Sequence, residues 1–149
     1  MNIIRLPITP TVLDYKAQAE ADSMLNTPAT YGIYIAGLVF QWLKKLGGLP
    51  KMAQMNRAKA AVLYDFLDQT EFYYSPVDKD DRSLMNVPFR LRNEALNDDF
   101  LKQAKARGMV ELKGHRAVGG MRASIYNAMP IEGVQALVAY MKAFESSHG

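Results

Sequence analysis

One segment limits what this chain can fold into more than any other: the run between Asn26-Thr27-Pro28 and Gly47-Gly48 has no polar face. Asn or Thr can cap a helix, and Pro at the first helical position forfeits no needed hydrogen bond. The paired glycines supply a left-handed stop. The spacing therefore predicts a helix over 27–48. Tyr31, Ile33, Tyr34, Ile35, Leu38, Val39, Phe40 and Trp42 fall on every side of it, and the first charge is Lys44. Such a helix has to be covered all round. In a chain of 149 residues one small domain covers only part of it, so a partner surface is expected, either another domain or another subunit. The apolar stretch from Ala29 ends at Gln41, short of the roughly 20 residues that a spanning helix needs, so no membrane span is expected.

Residues 1–26 show no sustained period and contain Pro7 and Pro10, which predicts an extended arm or connection. A second helix, from about Pro50, repeats Met52, Met55, Val62, Leu63, Phe66 and Leu67 at helical spacing, with Lys51, Gln54, Arg57 and Lys59 mostly on other faces. Short strands are expected over 72–74 and 84–91, where Pro88 argues for an edge position or a bulge. A helix over 93–107 ends at Gly108, and strands over 109–113 and 121–126 flank a glycine-rich loop. Pro130 opens a last helix with Ile131, Val134, Leu137, Val138, Met141 and Phe144 as its buried stripe. This order predicts an α+β fold, a small sheet covered by helices. The expected organisation is an arm over 1–26, a linking apolar helix over 27–48 and a small domain over 49–149.

Several chemistries drop out. Cysteine is absent, which removes disulfides, thiolate metal sites and a cysteine nucleophile. Of the two histidines, His148 is expected to fray at the C-terminus, so no metal site is expected. The net charge is only +3 and the basic residues are scattered among acidic ones, so nucleic acid is not an expected partner. The first residues lack a basic stretch followed by an apolar core, which favours a cytoplasmic location. The unusual composition lies in Lys113-Gly114-His115-Arg116-Ala117-Val118-Gly119-Gly120-Met121-Arg122. Glycines let the backbone approach a ligand, and arginine forks grip phosphate or carboxylate in a bidentate way. An anion site is the functional reading of this loop; a turn with solvated charges is the plain alternative.

The segment from Gly114 through Arg122 to Ala123-Ser124-Ile125-Tyr126-Asn127-Ala128-Met129-Pro130 resembles the C-terminal signature of the phosphoserine aminotransferases. Ser23-Met24-Leu25-Asn26-Thr27-Pro28-Ala29-Thr30 and Met85-Asn86-Val87-Pro88-Phe89 are similar to two further segments of that family. The similarity runs from about Thr11 to Gly149. It implies the C-terminal small domain of a fold type I pyridoxal-phosphate enzyme in the class V aminotransferases. The family works as a homodimer, exchanges an amino group between phosphoserine and 2-oxoglutarate, giving 3-phosphohydroxypyruvate and glutamate, and serves serine and pyridoxine biosynthesis.

Carried over on the motif, His115 and Arg116 resemble residues that hold the substrate phosphate or the distal carboxylate of glutamate. Arg122 resembles the arginine that grips the α-carboxylate. Asn26 and Thr27 resemble residues that reach the pyridoxal phosphate of the neighbouring subunit. A small substrate anionic at both ends needs two separate cationic clamps, which suits this division. The resemblance also implies that the Schiff-base lysine belongs to a large domain with no counterpart here, because Lys16, Lys51, Lys59 and Lys113 all lie outside the family's lysine motif. No catalytic residue is therefore assigned, and the chain alone is expected to be inactive and to bind no cofactor. The alternative is a non-catalytic anion-binding or interaction module derived from the same fold.

Overall fold

The computed structural model describes residues 6–149, so the first five residues of the expected arm lie outside it. The chain divides into two compact units, one extending to Lys45 and the other Leu46–Gly149.

The first unit holds a short 3-10 turn, Thr11–Leu13, then helix α1, Tyr15–Glu20, and helix α2, Thr30–Lys45. The arm expected to be extended is thus partly helical. The cause is local: the Asp14 carboxylate accepts hydrogen bonds from the N–H groups of Lys16 and Ala17, at 3.0 and 3.4 Å, and caps a run containing two alanines. Helix α1 stops before Asp22 and Ser23, whose φ values of 49° and 64° are left-handed. Helix α2 begins at Thr30, later than the sequence suggests, with Ile33 N–H bonded to Ala29 O at 3.0 Å. Its last turn carries Lys44 and Lys45, which suit the negative end of the helix dipole. Neither helix has a buried residue.

Near the start of the second unit stand Gly47 and Gly48, with φ values of 105° and 75°. Helix α3, Gly48–Leu67, follows, then strand β1, Tyr73–Tyr74, strand β2, Asn86–Leu91, helix α4, Asn97–Ala106, strand β3, Met121–Ser124, and helix α5, Ile131–His148. The sheet has the order β1-β2-β3 and is antiparallel throughout. Along β2, Val87, Phe89 and Leu91 are buried, and along β3, Met121 and Ala123 join them. The opposite face carries Asn86, Pro88, Arg90, Arg122 and Ser124.

The expectation for Pro88 is corrected: it sits in the middle strand, without a bulge. It pairs with Arg122, whose own N–H turns outward to Leu112 O at 2.7 Å, so this is a pair without mutual hydrogen bonds. The missing donor of Pro88 consequently faces the other edge, where β1 is only long enough to reach Arg90 and Leu91. The stretch expected as a strand over 109–113 contributes one isolated bridge, Lys113 to Met121. Glu111 has a left-handed φ of 59°, which takes the chain out of the extended conformation a ladder needs.

The core is built around rings. Phe100 lies 6.0 Å from Tyr73 and from Phe89, 4.9 Å from Tyr140 and 5.1 Å from Phe144, all centroid to centroid. Two buried hydroxyls are satisfied, Tyr73 on Met141 O at 2.9 Å and Tyr140 on Phe100 O at 2.7 Å. Two expectations for α3 are corrected. Lys59 is buried and belongs to the core-facing side with Met52, Asn56, Ala60, Leu63 and Leu67, while Met55 is partly exposed. Spacing along the helix, not residue type, decides which positions face inward. His148 is not frayed: its ring stacks on Phe144 at 4.1 Å, and Nε2 lies 3.4 Å from Asp99. Among the described residues no helix is long and apolar enough to cross a membrane.

Candidate functional site

The glycine-rich loop closes on itself. Gly114 N–H donates to Gly120 O at 2.8 Å, and the N–H groups of Val118 and Gly119 both donate to His115 O at 2.8 Å. A Cβ on Gly114 would lie 2.2 Å from Gly119 O, and one on Gly120, where φ is 63°, would lie 3.0 Å from Phe89 O. Glycine is therefore required at both ends of the loop by backbone contact. With the Lys113–Met121 bridge at its base, the loop and β3 form one hairpin. His115 and Arg116 lie in its turn and Arg122 lies on its strand, so the structure brings these three expected residues into one unit.

Their states differ. His115 is exposed and its Nδ1 accepts from Ala117 N–H at 3.2 Å. Arg116 is exposed and its side chain has no partner among the described residues. Arg122 is half-buried on the sheet face opposite the core, and its Nε is buried with no hydrogen-bond partner. No carboxylate pairs with its guanidinium among the described residues. A half-buried guanidinium with no counter-ion among the described residues has unmet donors and a charge that one carboxylate would answer.

Arg90 was not singled out by the sequence and neighbours this group. Its Nη2 donates to Val118 O and its Nη1 lies 3.7 Å from Glu94, so it braces the loop and is itself partly neutralised. Strict alternation along β2, which puts Arg90 on the face of Pro88, was the signal that could have found it. Beyond Arg122 on the same face, Ser124 Oγ donates to Asn86 Oδ1 at 3.2 Å and Asn86 Nδ2 donates to Tyr126 Oη at 2.7 Å. A groove of about 460 Å³ opens beside β3, mostly lined by apolar side chains such as Leu112, Ile125 and Met129. None of His115, Arg116 or Arg122 lines it.

Asn26 and Thr27 belong to the other unit. They sit just before α2, exposed, and their side chains make no hydrogen bond among the described residues. Two free polar side chains ahead of a helix start suit part of a phosphate cradle.

A family model described as aminotransferase class-V matches residues 8–137. The phosphoserine aminotransferase of Aromatoleum aromaticum is 62% identical over 96% of this chain and 39% of its own length. That of Pseudomonas putida is 59% identical over 94% of the chain and 39% of its own length. Among solved structures, phosphoserine aminotransferase from Bacillus circulans subsp. alkalophilus superposes with a TM-score of 0.87 at 47% identity, covering 95% of this chain and 39% of that one. A pyridoxal-phosphate-bound phosphoserine aminotransferase from Trichomonas vaginalis gives 0.81 at 36% identity, covering 93% and 40%. The chain thus spans about two fifths of the length of the relatives it matches.

Proposed function

This chain belongs to the class-V aminotransferase family, and we propose that it is the C-terminal part of a phosphoserine aminotransferase, supplying the residues that grip the substrate's anionic groups. The observation that carries this reading is the unpaired guanidinium of Arg122, aimed from the open sheet face beside a loop bearing His115 and Arg116. In this reading Arg122 takes the α-carboxylate in a bidentate fork, and His115 and Arg116 take the phosphate of phosphoserine or the distal carboxylate of glutamate and 2-oxoglutarate. Holding both ends orients the bond between them for reaction.

Pyridoxal phosphate in the complete enzyme supplies the electron sink for transamination. Among the described residues we assign Asn26 and Thr27 to it, as donors to its phosphate from the neighbouring subunit of a homodimer. The reactive lysine and the rest of the cradle come from the large domain, of which residues 1–26 are the connection. Residues 27–48, of which Thr30–Lys45 form helix α2, are the link, covered by that domain or by the second subunit, and 49–149 are the small domain. A cytoplasmic setting goes with this role.

The test is reconstitution. The chain is expected to show no turnover of phosphoserine with 2-oxoglutarate and added pyridoxal phosphate. Co-expression with the large domain of the Aromatoleum aromaticum relative is expected to restore it. In the restored enzyme Arg122→Ala should lower kcat/KM by about 100-fold or more, the scale of losing a charge-assisted pair of hydrogen bonds. Full activity with Arg122→Ala would remove the assignment.

A further inference from the structure

Lys59 stands in the middle of α3 with only 3% of its surface exposed. No carboxylate pairs with it among the described residues. Its Nζ donates instead to Ile125 O at 3.1 Å and Tyr126 O at 2.7 Å. Burial pushes its basicity below the ordinary lysine range. A buried amine of this kind is what a search for a reactive lysine looks for, yet these two bonds and the surrounding core close it to any ligand. Keeping an unpaired cation inside a protein is expensive, so these bonds call for an explanation beyond packing.

The neighbours of the bond supply one. Almost one turn earlier Asn56, itself 4% exposed, donates from Nδ2 to Asn127 Oδ1 at 2.8 Å. Helix α3 therefore holds residues 125, 126 and 127 in succession. These residues follow directly from β3, whose ladder with β2 closes with Ile125 N–H on Met85 O at 2.8 Å. From the other face, Asn86 holds the Tyr126 hydroxyl. Arg122 lies three residues before Ile125 and its side chain has no hydrogen-bond or ion-pair partner among the described residues, so the course of its backbone, not a side-chain bond, sets where its guanidinium stands.

We propose that Lys59 is a positioning residue for Arg122: by gripping the carbonyls of Ile125 and Tyr126 from the core side, it pins the open end of β3 and with it the stance of the arginine fork. The proposal rests on the reading of Arg122 as the carboxylate-binding arginine, but placement can be measured without ligand. In the 149-residue chain, the Lys59 ammonium should give a slowly exchanging NMR signal with hydrogen-bond couplings to the carbonyl carbons of Ile125 and Tyr126. Lys59→Met keeps the length and removes the donors; it should shift the Arg122 Nε–H signal and the amide signals of Arg122 and Ile125. Leu63→Ala, just over one turn on in the same helix, should lower Tm at least as much and leave the Arg122 Nε–H signal in place. Lys59→Gln, which retains N–H donors, should return part of the shift.

An Arg122 signal unmoved by Lys59→Met, or moved equally by Leu63→Ala, overturns the proposal. Should Lys59→Met fail to fold, the couplings in the unsubstituted chain and the Lys59→Gln shift decide, and absence of either overturns it. Failure of phosphoserine to be turned over by the reconstituted enzyme would sink the reading of the site while leaving these outcomes as they are.

Discussion

Phe40 in α2 and Phe100 in α4 are the same residue type in opposite situations: the first is 63% exposed and the second 0%. The contrast extends to the units around them. The second unit gathers Tyr73, Phe89, Phe100, Tyr140 and Phe144 into one core, while the first leaves Tyr31, Ile33, Tyr34 and Phe40 outside. A covered ring is held by its own unit and reports on folding. An exposed row of rings on a regular helix reports on what the helix is made to meet.

The strongest way to break this contrast is to cut it. Leu46–Gly149 expressed alone should melt cooperatively and sediment as a monomer, whereas residues 6–45 alone should show little helical circular dichroism, since short helices without packing are marginal. A non-cooperative melt of Leu46–Gly149 would show that the second unit does not own its core. Next comes the paired substitution in the full chain. Phe100→Ala should cost about 3–5 kcal/mol in urea unfolding, and Phe40→Ala less than about 0.5 kcal/mol. Tyr73→Phe sharpens the account of the core, because it removes only the buried bond to Met141 O and should cost about 1 kcal/mol.

The smallest effect separates the ion pairs of the two units. In the second, Asp68 bonds to Arg82 at 2.6 Å and lies 3.0 Å from Lys79, and these partners hold its carboxyl at about 2 against an ordinary 3.8. A carboxyl lowered on folding adds stability that is present above the unfolded value and lost as pH falls from that value through the folded one. Urea unfolding followed down from about pH 5 should show this loss, and Asp68→Asn should flatten it. In the first unit, Lys16 and Glu20 are 3.7 Å apart and largely exposed, so Glu20→Gln should leave the same profile unchanged.

Much of the fold was legible because its boundaries are local chemistry. Gly47 and Gly48, Gly108 and Pro130 mark helix ends by backbone preference alone, and the structure places an end within two residues of each. What escaped the sequence depends on contacts between distant elements. Lys59 reads as a solvated charge until Ile125 and Tyr126 arrive as acceptors, and Tyr64 and Tyr140 are buried with their hydroxyls donating to Ser83 O and Phe100 O, acceptors 19 and 40 residues away. Pro88 reads as an edge residue because a sequence does not say that β1 stops short of it. Asp14, by contrast, was a visible cap signal beside Ala17 and Ala19. In the site, the composition of residues 113–122 marked the loop, but Arg90 became apparent only when the strand faces were known.

The central claim is that this chain carries the anion-gripping side of a divided site and no amine able to hold the cofactor. The direct measurement is mass spectrometry of the 149-residue chain after incubation with one equivalent of pyridoxal phosphate and reduction with borohydride. The expected result is no stoichiometric label at any single lysine. A full equivalent of pyridoxyl phosphate on one lysine, above all on Lys59, would contradict the account.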